Sequence, residues 1–387
     1  MEKLSFTLQL SVLVMGLTLA VIPGCKTATA PQAAECGAGF LPCEDNITEC
    51  CEVICPELHH HCGVYLTECC LDTTSHDFTW TIDTLGIYGS YLKDVAIIDE
   101  NNIWAVGNIE TDSGEYNAAR WNGDQWELQG IYSNTLDLYS IWYFTEDDIW
   151  VASHCFPYHW DGNTWTQYHL NNMGMPGICA GNAIWGSSPE DIWFVGDSGS
   201  IVHYDGSGFT RMESGTDVRL IDVEGTEGGD YVFVVGYDFF SPAYSAVYQI
   251  HDGTVETLFY DEIHFPTNGS DWGAVSSVSV YEDTVYFVTY RGLWKKHIYS
   301  DESTVDPAFH NYGYRNMVVQ GPNDIFTVGG GGKFAHFNGA SWDLNDELLN
   351  NYDLSTLWGG CDFKNDVVVI DGYLLDGSHG YVAIGRR

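Results

Sequence analysis

From residue 78 to the C-terminus the chain is written in short apolar runs, each closed by Gly, Asn, Asp or Ser. No stretch of useful length keeps the i, i+3, i+4 spacing of an amphipathic helix. That pattern predicts many short strands joined by tight turns.

The runs repeat. NNIWAVGN (101–108), DDIWVAS (147–153), EDIWFVGD (190–197) and NDIFTVGG (323–330) are the clearest copies. DYVFVVGY (230–237), DTVYFVTY (283–290) and NDVVVIDG (365–372) are weaker ones. Their large anchor residues are Trp104, Trp150, Trp193, Phe233, Tyr286, Phe326 and Val368. The steps between anchors are 46, 43, 40, 53, 40 and 42 residues, which makes seven units. In each unit an apolar run such as LYSIWYF (138–144) precedes the anchor run. A third run ends in an aromatic and a turn, as in ARWNGD (119–124), YHWDGN (158–163), VHYDGS (202–207) and AHFNGA (335–340). A fourth opens with Trp126, Trp165, Phe209 or Trp342. Asn-Gly and Asp-Gly between strand runs predict two-residue hairpins with positive φ at both positions.

Four strands per unit of this length predict an all-β fold, a seven-bladed β-propeller. The last unit, STLWGG (355–360), DVVVID (366–371) and GYVAIGRR (380–387), lacks a fourth strand. FTWTIDTL (78–85) has the texture of one and precedes the first unit. The N-terminal strand is therefore expected to complete blade seven and remove the open edges. The units are similar to the W-G-x-x-x-x-D-V-W-A-V-G…G-x-I-x-H-W-x-G-x-x-W repeats of exported bacterial propeller proteins. The resemblance covers roughly 78–387 and is strongest at 137–215 and 312–343. It implies the architecture and says little about activity.

The residues before the propeller add location and a second module. The run from Phe6 to Ile22 carries no charge and is short for a membrane span, so 1–24 read as an export signal. Ile22-Pro23-Gly24-Cys25 resembles the lipobox of bacterial lipoproteins, with Pro23 a departure from it. The resemblance implies lipidation of Cys25 and a protein held at the outer membrane or cell surface by a lipid anchor only. Secretion with cleavage elsewhere is the alternative. A linker (26–35) leads to a cysteine-rich module (36–70) with Cys36, Cys43, Cys50, Cys51, Cys55, Cys62, Cys69 and Cys70. So small an exported unit needs disulfides, whose pairing its sequence leaves open. Oxidised thiols are expected there in preference to a metal site built on His59-His60-His61. Cys155 and Cys179 fall near neighbouring strand ends and are expected to form one more bridge. Cys361 is left over, with no basic partner to activate it.

Charge excludes one class of partner. The 54 acidic against 14 basic residues give a formal charge of -40, which a nucleic-acid backbone would repel. Recurrence then discounts the most obvious chemistry. Asp191, His203 and Asp205 look like a site in PEDIWFVGDSGSIVHYDGSGF (189–209). Asp191, however, recurs as Asn102, Asp148, Asp324 and Asp366, His203 as His159 and His336, and Asp205 as Asn122, Asp161, Asp252 and Asn338. Residues at the same turn in blade after blade are expected to cap turns. Sialidases share the architecture, but DGNTW (161–165) departs from their S-x-D-x-G-x-x-W turn. Only Arg120, Arg211, Arg219, Arg291 and Arg315 lie between 78 and 385.

Positions that differ between blades are better candidates. Alignment on the anchors puts Lys93, Tyr139, Asn182, Arg219, Ser276, Arg315 and Ser355 where innermost strands begin, at the mouth of a central channel. Lys93, Arg219 and Arg315 converging there are expected to hold an anionic group. The poorly repeating stretches 109–119, 236–247, 259–272 and 297–310 offer a second surface. No cofactor and no metal are expected. The function expected is binding of a protein or glycan at the cell surface, ahead of catalysis. A polysaccharide hydrolase or lyase and a scaffold subunit of an envelope complex are the alternatives.

Overall fold

The computed structural model describes residues 73–387, except 133–135, 239–241, 264–271, 301, 307–312, 346–355 and 375–378. It also describes four short strands nearer the N-terminus. The chain divides into two compact units, Met1–Asp72 and Thr73–Arg387. In the first, Phe40–Pro42 pairs with Cys50–Glu52 and His59–Cys62 with Glu68–Leu71, both antiparallel. The leader, Cys25, the linker and the pairing of the eight cysteines lie outside the described residues.

The second unit is a seven-bladed propeller of four-stranded antiparallel sheets. The innermost strands of blades 1 to 7 are Tyr91–Asp99, Ser140–Thr145, Cys179–Ser188, Leu220–Gly225, Val275–Tyr281, Tyr314–Gly321 and Thr356–Lys364. Blade 7 takes its outermost strand, Thr79–Leu85, from the N-terminal side of the unit, paired with Gly380–Arg386 in the register Trp80 to Gly385. The anchor runs form the second strands and are almost wholly buried, since both faces of each sheet pack on a neighbour. The core is a series of interblade layers. At the closing seam Val367, Val369, Val382 and Ile384 of blade 7 meet Ile103, Ala105 and Ala119 of blade 1.

Two turn expectations need correction. The expected two-residue hairpin occurs at Asp252–Gly253, where both φ are positive (49° and 69°). At Asn122, Asp161, Asp205 and Asn338 the flanking strands pair across a four-residue loop, as Trp121 to Trp126 and Tyr204 to Phe209. The longer loop leaves room for the side chain to cap it. Asp205 Oδ1 accepts the amides of Ser207 and Gly208 at 2.9 Å, and Asn338 Oδ1 those of Ala340 and Ser341 at 3.0 and 2.9 Å. Only glycine then needs positive φ.

The second correction concerns Asp191, which closes its own turn with one oxygen, accepting from Ser187 Oγ, and reaches across the sheet with the other. Asp191 Oδ1 lies 2.7 Å from His203 Nε2, and the imidazole stacks on Trp193 at 4.2 Å between centroids. Asp148, His159 and Trp150 repeat the arrangement in blade 2, and Asp324, His336 and Phe326 in blade 6. Blade 1 substitutes Arg120, which donates to Asn102 at 2.8 Å. Each tether fixes the anchor aromatic against the third strand, an architectural role. These groups and the capped turns share one face of the ring. The opposite face carries the starts of the innermost strands and the channel mouth.

Candidate functional site

The channel is a cavity of about 560 Å³. Lys93, Tyr139, Asn182, Arg219, Ser276 and Arg315 all line it, together with Tyr237 and Tyr373. Ser355 lies outside the described residues. The alignment thus brings together side chains separated by more than two hundred residues of sequence.

The cations of the mouth are not equivalent. Arg219 Nε is 3.1 Å from Asp197 Oδ1, which also accepts from Asn182 Nδ2 at 3.0 Å. His154 Nε2 meets the other oxygen of Asp197 at 3.2 Å, and Asn182 is held further by the Leu220 carbonyl at 2.9 Å. Arg219 and Asn182 are therefore fixed in place. Lys93 Nζ lies over the rings of Tyr91, Tyr139 and Tyr373 at 5.0, 5.8 and 5.4 Å and makes no hydrogen bond or ion pair among the described residues. Burial pushes its amine downward, and Asp371 opposes that shift. Arg315 is exposed and has no ion pair or hydrogen bond among the described residues. Burial, and then Asp137, to which its hydroxyl donates, hold the Tyr91 phenol well above its usual range. Ser276 is engaged inward, donating to the Tyr314 carbonyl at 3.2 Å.

Below the mouth the wall is acidic, a feature the repeat pattern did not reveal. An innermost strand turns one edge to the channel, where no further strand pairs with it. Acidic side chains bridge that edge to the next blade. Asp94 Oδ2 accepts the Ile141 amide at 2.9 Å, Asp362 Oδ2 the Ile97 amide at 2.7 Å, and Glu224 Oε1 the Val280 amide at 3.0 Å. Asp222 Oδ2 accepts from Ser277 Oγ at 2.7 Å and from Val278 N at 2.9 Å. Burial raises all four carboxyls, Asp94 and Glu224 to about 8, with the amide bonds opposing the rise. At the far end Lys364 donates to the Ile98 carbonyl and the Tyr143 hydroxyl at 2.9 and 2.8 Å. The signal available in sequence was an acid inside an innermost run, in LKDVAI, IDVEG and GCDFK.

The cysteines of the propeller fall as expected. Cys155 and Cys179 form a disulfide that ties the loop of blade 2 to the first residue of blade 3's innermost strand. Their sulfurs stand with His154 in a metal-like cluster, but the bridge leaves no thiolate to bind a metal. Cys361 is free in the channel wall, 3.5 Å from Asn316 Oδ1, and burial pushes its thiol up.

Of the poorly repeating stretches, the hairpin of blade 1, turning at Thr111–Gly114, reaches the mouth face, and the one that starts at His297 begins at a turn on the opposite face. The mouth face also presents Ile87, Tyr88, Tyr132, Leu136 and Met173 to solvent, with Tyr88 74% and Tyr132 59% exposed.

No family model matches the chain, and no curated protein matches it. Solved structures do. The one described as YCF48 bound to D1 peptide superposes with a TM-score of 0.58 at 14% identity, over 82% of this chain and 98% of that one. YCF48 from Cyanidioschyzon merolae gives 0.54 at 13% identity, over 79% and 98%. The WD40 propeller domain of Doa1 gives 0.56 at 11% identity, over 80% and 97%. At such identities the likeness establishes what the strand order already showed: this chain carries a β-propeller of the same architecture.

Proposed function

We propose that the protein is a binding protein whose channel mouth takes an anionic group, a carboxylate, on a segment of another protein. The observation that carries this reading is the state of Lys93 and Arg315. In a chain with 54 acidic residues, two cations at one mouth make no ion pair or hydrogen bond among the described residues. A guanidinium or amine not engaged by a protein carboxylate is available to take an anion by charge-assisted hydrogen bonds. Arg219 and Asn182, fixed by Asp197, give the mouth a rigid side, and the tyrosines give it apolar walls. The exposed Tyr88 and Tyr132 supply contact area for a chain running outward over the rim. A peptide is favoured as partner because one solved structure of this architecture is described with a peptide bound.

The protein is further proposed to act at the cell surface, exported by residues 1–24 and anchored through Cys25. Peptide capture tests the binding role. The full-length chain is screened against peptides with a free C-terminal carboxylate and against their amidated counterparts. Wild type and Arg211→Ala, whose guanidinium already pairs with Glu213 at 2.9 Å, should capture the free acids. Arg315→Ala should capture at least about tenfold less, the loss of one charge-assisted bond. Equal capture of free and amidated peptides, unchanged in Arg315→Ala, would sink the proposal.

A further inference from the structure

Three residues after each anchor, the second strand of a blade reaches the channel rim. The residue there is Gly107, Gly196, Gly236 and Gly329 in blades 1, 3, 4 and 6, Ser153 in blade 2 and Thr289 in blade 5. The glycines have a steric reason. A Cβ added to them would lie 2.2, 2.0, 2.2 and 2.3 Å from the carbonyl oxygens of Tyr91, Cys179, Arg219 and Gly313, where their own innermost strands begin. In blade 7 the same position is Asp371. The space comes from the facing strand instead, which carries Gly359 and Gly360 in a bulge. A Cβ at Gly359 would lie 2.5 Å from Asp371 Oδ1, and one at Gly360 2.8 Å from Oδ2. One blade therefore exchanges its glycine for a buried acid and places two glycines opposite to admit it.

Asp371 is fully buried, and neither of its oxygens has a hydrogen-bond partner of good geometry. The Gly360 amide is close enough to act on it without making such a bond. The polar atoms nearest the bulge are acceptors. The Lys93 and Leu92 carbonyl oxygens lie 3.2 and 3.4 Å from the Cβ point of Gly359, and Asp94 Oδ1 lies 2.9 Å from that of Gly360. The Lys93 amine lies over the tyrosines of the mouth and acts on Asp371 through its charge without bonding to it. Oxygens gathered around a buried carboxylate with no donor aimed at it call for a positive occupant.

We propose that Asp371 and Asp94, with the main-chain oxygens of Leu92 and Lys93, bind a divalent cation, calcium by ligand chemistry, at the seam between blades 7 and 1. Mixed carboxylate and carbonyl oxygen is the set that calcium takes, in a geometry loose enough for a strand bulge. Leu92, Lys93, Asp94 and Gly359 all border the channel, so the site has an entry path. Asp222, Glu224 and Asp362 line the same channel below the cations of the mouth, so its wall offers further oxygen donors. The seam is also where the ring is closed by strands from the two ends of the unit. A bound ion there stabilises the closed form by mass action.

The test uses the full chain stripped with chelator, then titrated with calcium by calorimetry and by thermal melting. Wild type should bind one equivalent well above the diffuse background of an acidic surface and melt several degrees higher. Asp371→Asn keeps shape and volume, and should weaken that equivalent at least about tenfold, as loss of a charged ligand implies. Asp252→Asn, at an exposed turn, controls for surface charge and should behave as wild type. Calcium binding that is weak and equal in all three proteins, with equal melting shifts, would overturn the proposal and leave a shared proton between Asp94 and Asp371.

Discussion

The two faces of the ring use the same residue types for opposite purposes. On the turn face aspartate, histidine and asparagine recur, and each is spent inside the protein. Asp191 holds His203 against Trp193, and Asp205 caps its loop. On the mouth face the side chains differ from blade to blade, two cations are unpaired among the described residues, and aromatics stand in solvent. A polar residue in a propeller is therefore informative when its counterparts in other blades are something else. Recurrence marks a stability requirement shared by several blades, and singularity marks a requirement that architecture alone does not impose.

The largest effect expected from breaking this contrast is on the recurrent side. Trp150 is buried to 1% and packs on His159, Tyr168 and Phe194. Trp150→Ala should cost about 3–5 kcal/mol in denaturant unfolding, from lost burial plus the cavity left behind. Breaking the tethers comes next and should grade with burial. His336 has 1% of its side chain exposed, and its partner Asp324 also holds Arg387 at 2.8 Å. His336→Ala should cost about 2–3 kcal/mol, because a buried carboxylate loses a bond. His203 is 26% exposed, so His203→Ala should cost about 1 kcal/mol. Equal losses at both positions would mean that the tethers act through stacking alone.

The recurrent side was also the legible one. Seven anchors, the order of runs within a unit and the missing last strand sufficed to specify the ring and its closure. The pairing of Asp191 with His203 was not visible. It crosses a hairpin and needs the register that sets Trp193 opposite His203. The mouth residues were reachable by alignment because all innermost strands begin on one rim. Tyr91 and Tyr373 were missed because an aromatic next to an apolar run reads as core. The channel acids were missed for a related reason. A ring has an inside lined by strand edges, and periodicity does not separate a side chain that bridges those edges from one that faces the sheet. Asp371 was in plain view in NDVVVIDG beside NDIFTVGG. The exchange of glycine for aspartate gained meaning once the opposing Gly359–Gly360 bulge was seen.

The channel acids offer a contrast through pH. Glu224 is held at about 8 by burial, against an ordinary carboxylate value in the unfolded chain. Between those values the folded state holds a proton that the unfolded state has released, so stability falls as pH rises from about 4.5 to 8. Burial raises Asp222 and Asp362 in the same sense. Glu224→Gln keeps an oxygen to accept the Val280 amide and removes the charge. Melting temperatures at pH 5 and pH 8 should lie closer together in this variant than in wild type. An unchanged difference would assign the pH dependence to surface repulsion in a chain of net charge -40.

The smallest expected effect on stability is the most discriminating. Arg315 is exposed at the mouth and pairs with nothing among the described residues. Arg315→Ala should therefore leave unfolding free energy within about 0.5 kcal/mol of wild type, the range of surface positions outside any network. The same substitution should weaken capture of free-acid peptides, and the remaining affinity should fall less steeply with added salt, because one screened attraction has been removed. A stability loss above about 1 kcal/mol with unchanged capture would place Arg315 among the architectural residues and erase the distinction between the faces at that position. Stability unchanged with capture lost separates the two faces by function, since removal of a tether such as His336 on the turn face carries a cost to the fold.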